Sequence, residues 1–70
     1  MKEITMYELF GLINDGNVPK RISLGGEIYD LDYSKKEIAY KSRNTGFWLN
    51  YNWYVEQPKR LNTKLYILEN

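Results

Sequence analysis

Apolar positions along this chain follow two periodicities, one near its start and another through the rest. Met6, Leu9, Phe10 and Ile13 recur every three or four residues, with Leu12 widening the stripe, which gathers apolar side chains on one side of a helix. Thr5-Met6-Tyr7-Glu8 has the form of a capping box, with Ile4 and Leu9 at the two positions of a hydrophobic staple. Gly16 stands after Asp15 where a left-handed stop is expected. The pattern predicts one helix over about residues 5 to 15. Gly11 inside it costs about 1 kcal/mol relative to Ala, which predicts a close neighbour there, either a strand backbone or a second subunit.

Beyond Asn17-Val18-Pro19 the period shortens to two, as in strands. The alternating runs Lys20 to Leu24 and Glu27 to Asp32 flank Gly25-Gly26, and together predict a hairpin over about residues 20 to 32. That turn sets Ile22 against Tyr29, brings Leu24 near Leu31, and places Arg21 opposite Asp30 on the other face. Further strands are predicted over about 37–41, 47–56 and 64–69. In the run Phe47 to Glu56, the odd positions Phe47, Leu49, Tyr51, Trp53 and Val55 form one apolar face, expected to be core against Leu9, Phe10 and Ile13. The even face retains Trp48 and Tyr54 beside Asn50, Asn52 and Glu56. Pro58 cannot donate to a ladder and should end the run. One N-terminal helix and about five strands on short loops make an α+β fold, with the helix packed on a small antiparallel sheet or partly closed barrel. All 70 residues form a single domain.

The spare aromatics Trp48 and Tyr54 are the candidate binding residues. Arg43 lies on one side of them and Lys59 and Arg60 on the other, with Asn50 and Asn52 between. Aromatics flanked by cations suit stacking on bases and suit protein hot spots equally. The same two rings could instead cover a second small core or a homomeric interface, because a domain this short is near the limit for a self-sufficient core. Ten Lys and Arg against nine Asp and Glu give a net charge of +1, against the basic excess that binding to long nucleic acid normally carries.

Candidate chemistry is sparse. There is no Cys or His, which removes thiolate and imidazole ligands and the commonest general base. Asp30, Asp32 and Glu56 read as the acids of a solvated strand face, and Gly25-Gly26 as a turn, because no Lys-Ser/Thr and no helix follows it. No enzyme activity, metal or cofactor is therefore expected. No apolar run has the length of a signal peptide or approaches the ~20 residues of a membrane span, so a cytoplasmic protein without membrane association is expected.

The opening Tyr7-Glu8-Leu9-Phe10-Gly11-Leu12-Ile13-Asn14-Asp15-Gly16-Asn17-Val18-Pro19-Lys20-Arg21-Ile22 resembles that of a group of small phage and prophage proteins of Gram-positive bacteria, roughly YELLxLIKDGKAPKKI. Glu27 to Asp32 is similar to the IYEYD-like segment of that group. Leu61 to Glu69 is similar to its LNDEVEIIEE-like tail, with Thr63-Lys64 in place of the acidic pair. The resemblance covers somewhat more than half of the chain. It implies a mobile-element context without implying an activity, and the matched residues are capping, turn and core types. The leading expectation is a non-enzymatic binding module acting on a host protein, such as a defence component. The alternatives are a nucleotide or nucleic-acid binder and a homo-oligomeric structural protein.

Overall fold

A computed structural model describes residues 1–70. Five strands and one principal helix follow in the order β1 (Lys2–Thr5), α1 (Met6–Asn14), β2 (Arg21–Leu24), β3 (Glu27–Asp32), β4 (Ala39–Ser42) and β5 (Lys64–Glu69). Between β4 and β5 lie a short helix, α2 (Tyr51–Val55), and a 3-10 helix over Pro58–Asn62. The sheet is open, not a closed barrel, with the order β1-β5-β2-β3-β4 and every neighbouring pair antiparallel. Because β1 and β2 both oppose β5, they run parallel to each other, and α1 is the crossover that joins them around the strand between. No helix is long and apolar enough to cross a membrane.

The capping box starts α1 as expected. Thr5 Oγ1 accepts from the Glu8 amide at 3.1 Å, and Glu8 Oε1 accepts from the Thr5 amide at 2.9 Å. At the far end the Asn17 and Gly16 amides donate back to the Leu12 and Ile13 carbonyls, with Gly16 at φ 81°, the two bonds of a Schellman stop. Gly11 departs from expectation. Nothing lies within 4 Å of where its Cβ would stand, so its helix cost is not offset by any close approach.

In the hairpin, Gly25 and Gly26 both have positive φ, 59° and 79°, as a type I′ turn requires. Ile22 pairs with Tyr29 and Arg21 with Asp30. Leu24, however, pairs with Glu27, while the Leu31 amide reaches back to the Lys20 carbonyl. Leu24 and Leu31 therefore share a face at opposite ends of the hairpin and are not neighbours.

Two strand assignments are corrected. Lys2–Thr5, which the sequence presents only as the approach to the helix, is the edge strand β1, held by pairing with β5. The predicted strand over 47–56 does not form. Its pairing with β4 is confined to a bridge between Trp48 and Lys41, with bonds from the Ser42 amide to the Phe47 carbonyl and from the Leu49 amide to the Tyr40 carbonyl. Asn50 then caps α2 by accepting from the Trp53 amide at 3.3 Å. A polar cap, with Tyr51 and Tyr54 at helical spacing, thus prevails over the alternating pattern.

One face of the sheet carries Ile4, Leu65, Ile67, Ile22, Leu24 and Tyr40, packed with Met6 and Leu9 of α1 and with Leu49. Phe10, Tyr51, Tyr54 and Leu61 pack against this cluster from the helices, and the Phe10 and Tyr51 rings meet edge to face at 5.5 Å. Only 12 of the 70 residues are buried, so single core groups matter. The fully buried Tyr40 donates its hydroxyl to the Pro19 carbonyl at 2.6 Å, tying β4 to the turn after α1.

Two stability measurements follow. Gly11→Ala should stabilise the protein by about 0.5–1 kcal/mol, read as a higher urea midpoint at unchanged slope. Tyr40→Phe should destabilise it by about 1–3 kcal/mol, because the buried Pro19 carbonyl loses its donor.

Candidate functional site

The segment from Gly46 to Leu61 combines exposed aromatic residues with short irregular structure, and most of the predicted site residues lie on it. Gly46, at φ 77°, reverses the chain after β4. Phe47 then points to solvent, Trp48 lies on the same side of the sheet as Lys41, and Leu49 enters the core. Phe47 and Leu49, two residues apart, thus differ in burial, and the expected alternation already fails before α2 begins.

The two expected faces are therefore redistributed. Phe47, Trp53 and Val55, expected in the core, are 75%, 51% and 54% exposed. Trp48 and Tyr54, expected to be spare, are both half-buried and belong to different surroundings. Trp48 has the Lys35 and Lys41 ammonium groups 4.2 and 5.3 Å from its ring centroid, within reach of a cation–π attraction. Tyr54 packs on the core, and burial raises its pKa.

The flanking cations separate in the same way. Arg43 stands on the open face of the sheet and donates twice to Asp30, at 3.0 Å each, while Arg21 donates to Asp30 at 2.8 Å and to Glu69 at 2.9 Å. Arg60 stacks its guanidinium 3.3 Å from the Trp53 ring centroid and donates to the Trp53 carbonyl at 2.9 Å. Lys59 is exposed. Arg43 and Arg60 are thus committed to separate partners, so the sheet does not gather Trp48, Tyr54 and the cations around one phosphate.

Trp48, Asn50 and Asn52 do come together. With Lys35, Glu37, Leu49 and Tyr51 they line an open cleft of about 630 Å³. A second cleft of about 320 Å³ shares Tyr51 and Asn52 with it and is completed by Phe10, Ile13, Asn14 and Val55. Sequence reasoning did not select Phe47, Trp53, Val55 or Lys35 as surface contacts. The signal that could have found Trp53 and Val55 is the cap itself, since Asn50 three residues before Trp53 marks a helix start that ends the strand pattern.

The acids of the sheet do not converge. Asp30 sits between two arginines, Asp32 Oδ1 accepts from the Ser34 amide at 2.7 Å, and Glu56 lies 3.8 Å from Arg60. What the segment presents is exposed aromatic area edged by carboxamides and cations. Comparison with known proteins finds no protein-family model, curated protein or solved structure that matches this chain.

The arginine-flanked carboxylate makes stability depend on acid. Hydrogen bonds from Arg43 and then Arg21 hold the Asp30 carboxyl below its ordinary 3.8, and hydrogen bonds with Ser34 and Thr5 lower Asp32 and Glu8. A carboxylate with a depressed folded pKa contributes stability above its unfolded value and loses it as pH falls through the folded one. The urea midpoint should therefore fall as pH drops below about 4, the ordinary carboxylate range, and go on falling through the lowered folded values. Asp30→Asn should lower the midpoint at neutral pH and flatten that acid limb.

Proposed function

We propose that this chain is a non-enzymatic binding module that engages a protein partner through the aromatic segment between β4 and β5. The observation that carries this proposal is the exposure of Phe47, Trp53 and Val55 in a domain with so few buried residues. A small fold that leaves large apolar side chains at its surface forgoes burial of about 1.5–3 kcal/mol for each, which fits a surface used for contact. Trp and Arg are enriched among residues that dominate protein interfaces, and Trp53 under the Arg60 guanidinium combines both. The stacking and the bond from Arg60 to the Trp53 carbonyl restrain the pair, so little side-chain entropy is left to lose on association.

The resemblance of the opening to small phage and prophage proteins supports a host protein as the partner, with a defence component as the particular case. Modulation would then act by occupying a surface of that protein, without any bond being made or broken. A nucleotide ligand has less support, because Arg43 is engaged by Asp30 and Arg60 by Trp53. Self-association on the same aromatic area is the remaining alternative.

Native mass spectrometry of the tagged protein drawn from a lysate of its natural host tests this. The expected result is one defined host protein retained by the wild type and lost from a Phe47→Ala/Trp53→Ala double variant whose circular dichroism is unchanged. A retained nucleotide, or a homo-oligomer with no other protein, would overturn the proposal in favour of the corresponding alternative.

A further inference from the structure

An open sheet has two edges, and a bare edge strand is a template for another chain. Here the edges are β1 and β4. The bond from the Met6 amide to the Thr63 carbonyl sets the ladder of β1, so Lys2 and Ile4 turn their backbone groups to β5 while Glu3 and Thr5 turn theirs outward. The Thr5 amide is taken by the Glu8 carboxylate at 2.9 Å. The Thr5 carbonyl belongs to the first turn of α1, as that of an N-cap residue does. Glu3 alone is left to pair, too little to hold a strand.

The other edge is longer and is closed differently. The bond from the Arg43 amide to the Ile28 carbonyl turns Lys41 and Ala39 toward β3, leaving Ile38, Tyr40 and Ser42 to face outward. The segment that follows Gly46 covers them. The Ser42 amide donates to the Phe47 carbonyl at 2.8 Å, the Gly46 amide to the Ser42 carbonyl at 2.9 Å, and the Leu49 amide to the Tyr40 carbonyl at 2.8 Å. The Tyr51 hydroxyl donates to the Ile38 carbonyl at 3.1 Å. Leu49 anchors the segment in the core, and the Asn50 cap ends its extended course directly afterwards.

We propose that residues 46–49 are a strap that keeps β4 from pairing with a second copy of the chain, and that releasing it yields a two-fold dimer. A bare edge offering Ile38, Tyr40 and Ser42 pairs antiparallel with the same edge of another copy. Because β1 stays closed in both copies, each molecule has one open edge, and association stops at two without growing into a head-to-tail polymer. The strap goes beyond the partner-binding role proposed above, since it uses the main chain of the segment and not its exposed side chains, and it is read on the purified protein alone.

Sedimentation velocity of the full chain tests the strap. Gly46 holds φ 77° in an exposed turn. Proline, fixed near a φ of about −65° and lacking the amide, cannot take that place, so Gly46→Pro releases the strap without touching the core. Leu49→Pro removes the amide that serves the Tyr40 carbonyl and is a second release. The wild type should sediment as a monomer. Each variant should double in mass at high protein concentration, with a dispersed amide spectrum and loss of slow hydrogen exchange at the Ser42 amide. Should one variant fail to fold, the other decides. Lys41 and Trp48 face each other as a non-hydrogen-bonded pair, the closer of the two antiparallel kinds, which suits a disulfide. Lys41→Cys/Trp48→Cys added to either variant should therefore restore the monomer when oxidised and the dimer when reduced. A folded release variant that stays monomeric, a dimer that persists after oxidation, or growth beyond the dimer would overturn the proposal. So would a wild type that is already dimeric.

Discussion

The fold depends on the insertion of β5 between β1 and β2. Without it the sheet would be two separate pieces, the single strand β1 and the meander β2-β3-β4, because β1 pairs with β5 and with no other strand. Leu65 and Ile67 supply the centre of the core, Leu65 opposite Ile4 and Ile67 opposite both Lys2 and Ile22. Both ends of β5 are fastened from elsewhere in the chain. The Met6 amide donates to the Thr63 carbonyl, the Lys20 amide to the Glu69 carbonyl, and Arg21 bridges to the Glu69 side chain. The sheet is therefore completed by residues far along the chain from β1 and β2, and its formation carries the entropic cost of long-range closure.

That topology leaves the stretch between β4 and β5 with a distance to cover and little core to fill. Tyr40, Leu49 and the fully buried helix residues Met6 and Leu9 already occupy the interior. The remaining aromatics divide by what they reach. Tyr51 and Tyr54 lean on the core from α2, burial pushing the Tyr51 phenol up to about 12, while Phe47, Trp53 and Val55 stay outside. The exposed aromatic area follows from a small core meeting an aromatic-rich connection, and it supplies the contact surface on which the proposed binding role rests.

The open face of the sheet has a different character. Asp30 between Arg21 and Arg43, with Glu69 beyond, forms a cross-strand charge array over β2, β3, β5 and the end of β4. Each exposed pair contributes little by itself. Their shared carboxylate nevertheless specifies strand register, since a slip of one residue would place Asp30 on the core side. This occupation of Arg43 is also what removes it from the aromatic site that its position in the sequence had suggested.

Elements whose signals are local could be read from the chain directly. The capping box and Schellman glycine bound α1, and the paired glycines fix the hairpin and the Arg21–Asp30 register, because a cap or a two-residue turn is decided within a few residues. The α+β class was legible for the same reason, whereas the count of five strands agrees because the unrecognised Lys2–Thr5 offsets the strand expected over 47–56. The identity of two strands was not. Lys2–Thr5 becomes a strand only because β5 lies beside it. Phe47 to Glu56 fails to become one because its pairing with β4 stops at Trp48 and α1 offers Tyr51 an aromatic partner instead. For the candidate site the residue types were legible and their grouping was not: Asn50, Asn52 and Trp48 meet in one cleft, whereas Tyr54, Arg43 and Arg60 are drawn to separate neighbours. Which side of an aromatic-rich segment faces water depends on what the rest of the chain places against it, and that is decided by contacts between residues far apart in sequence.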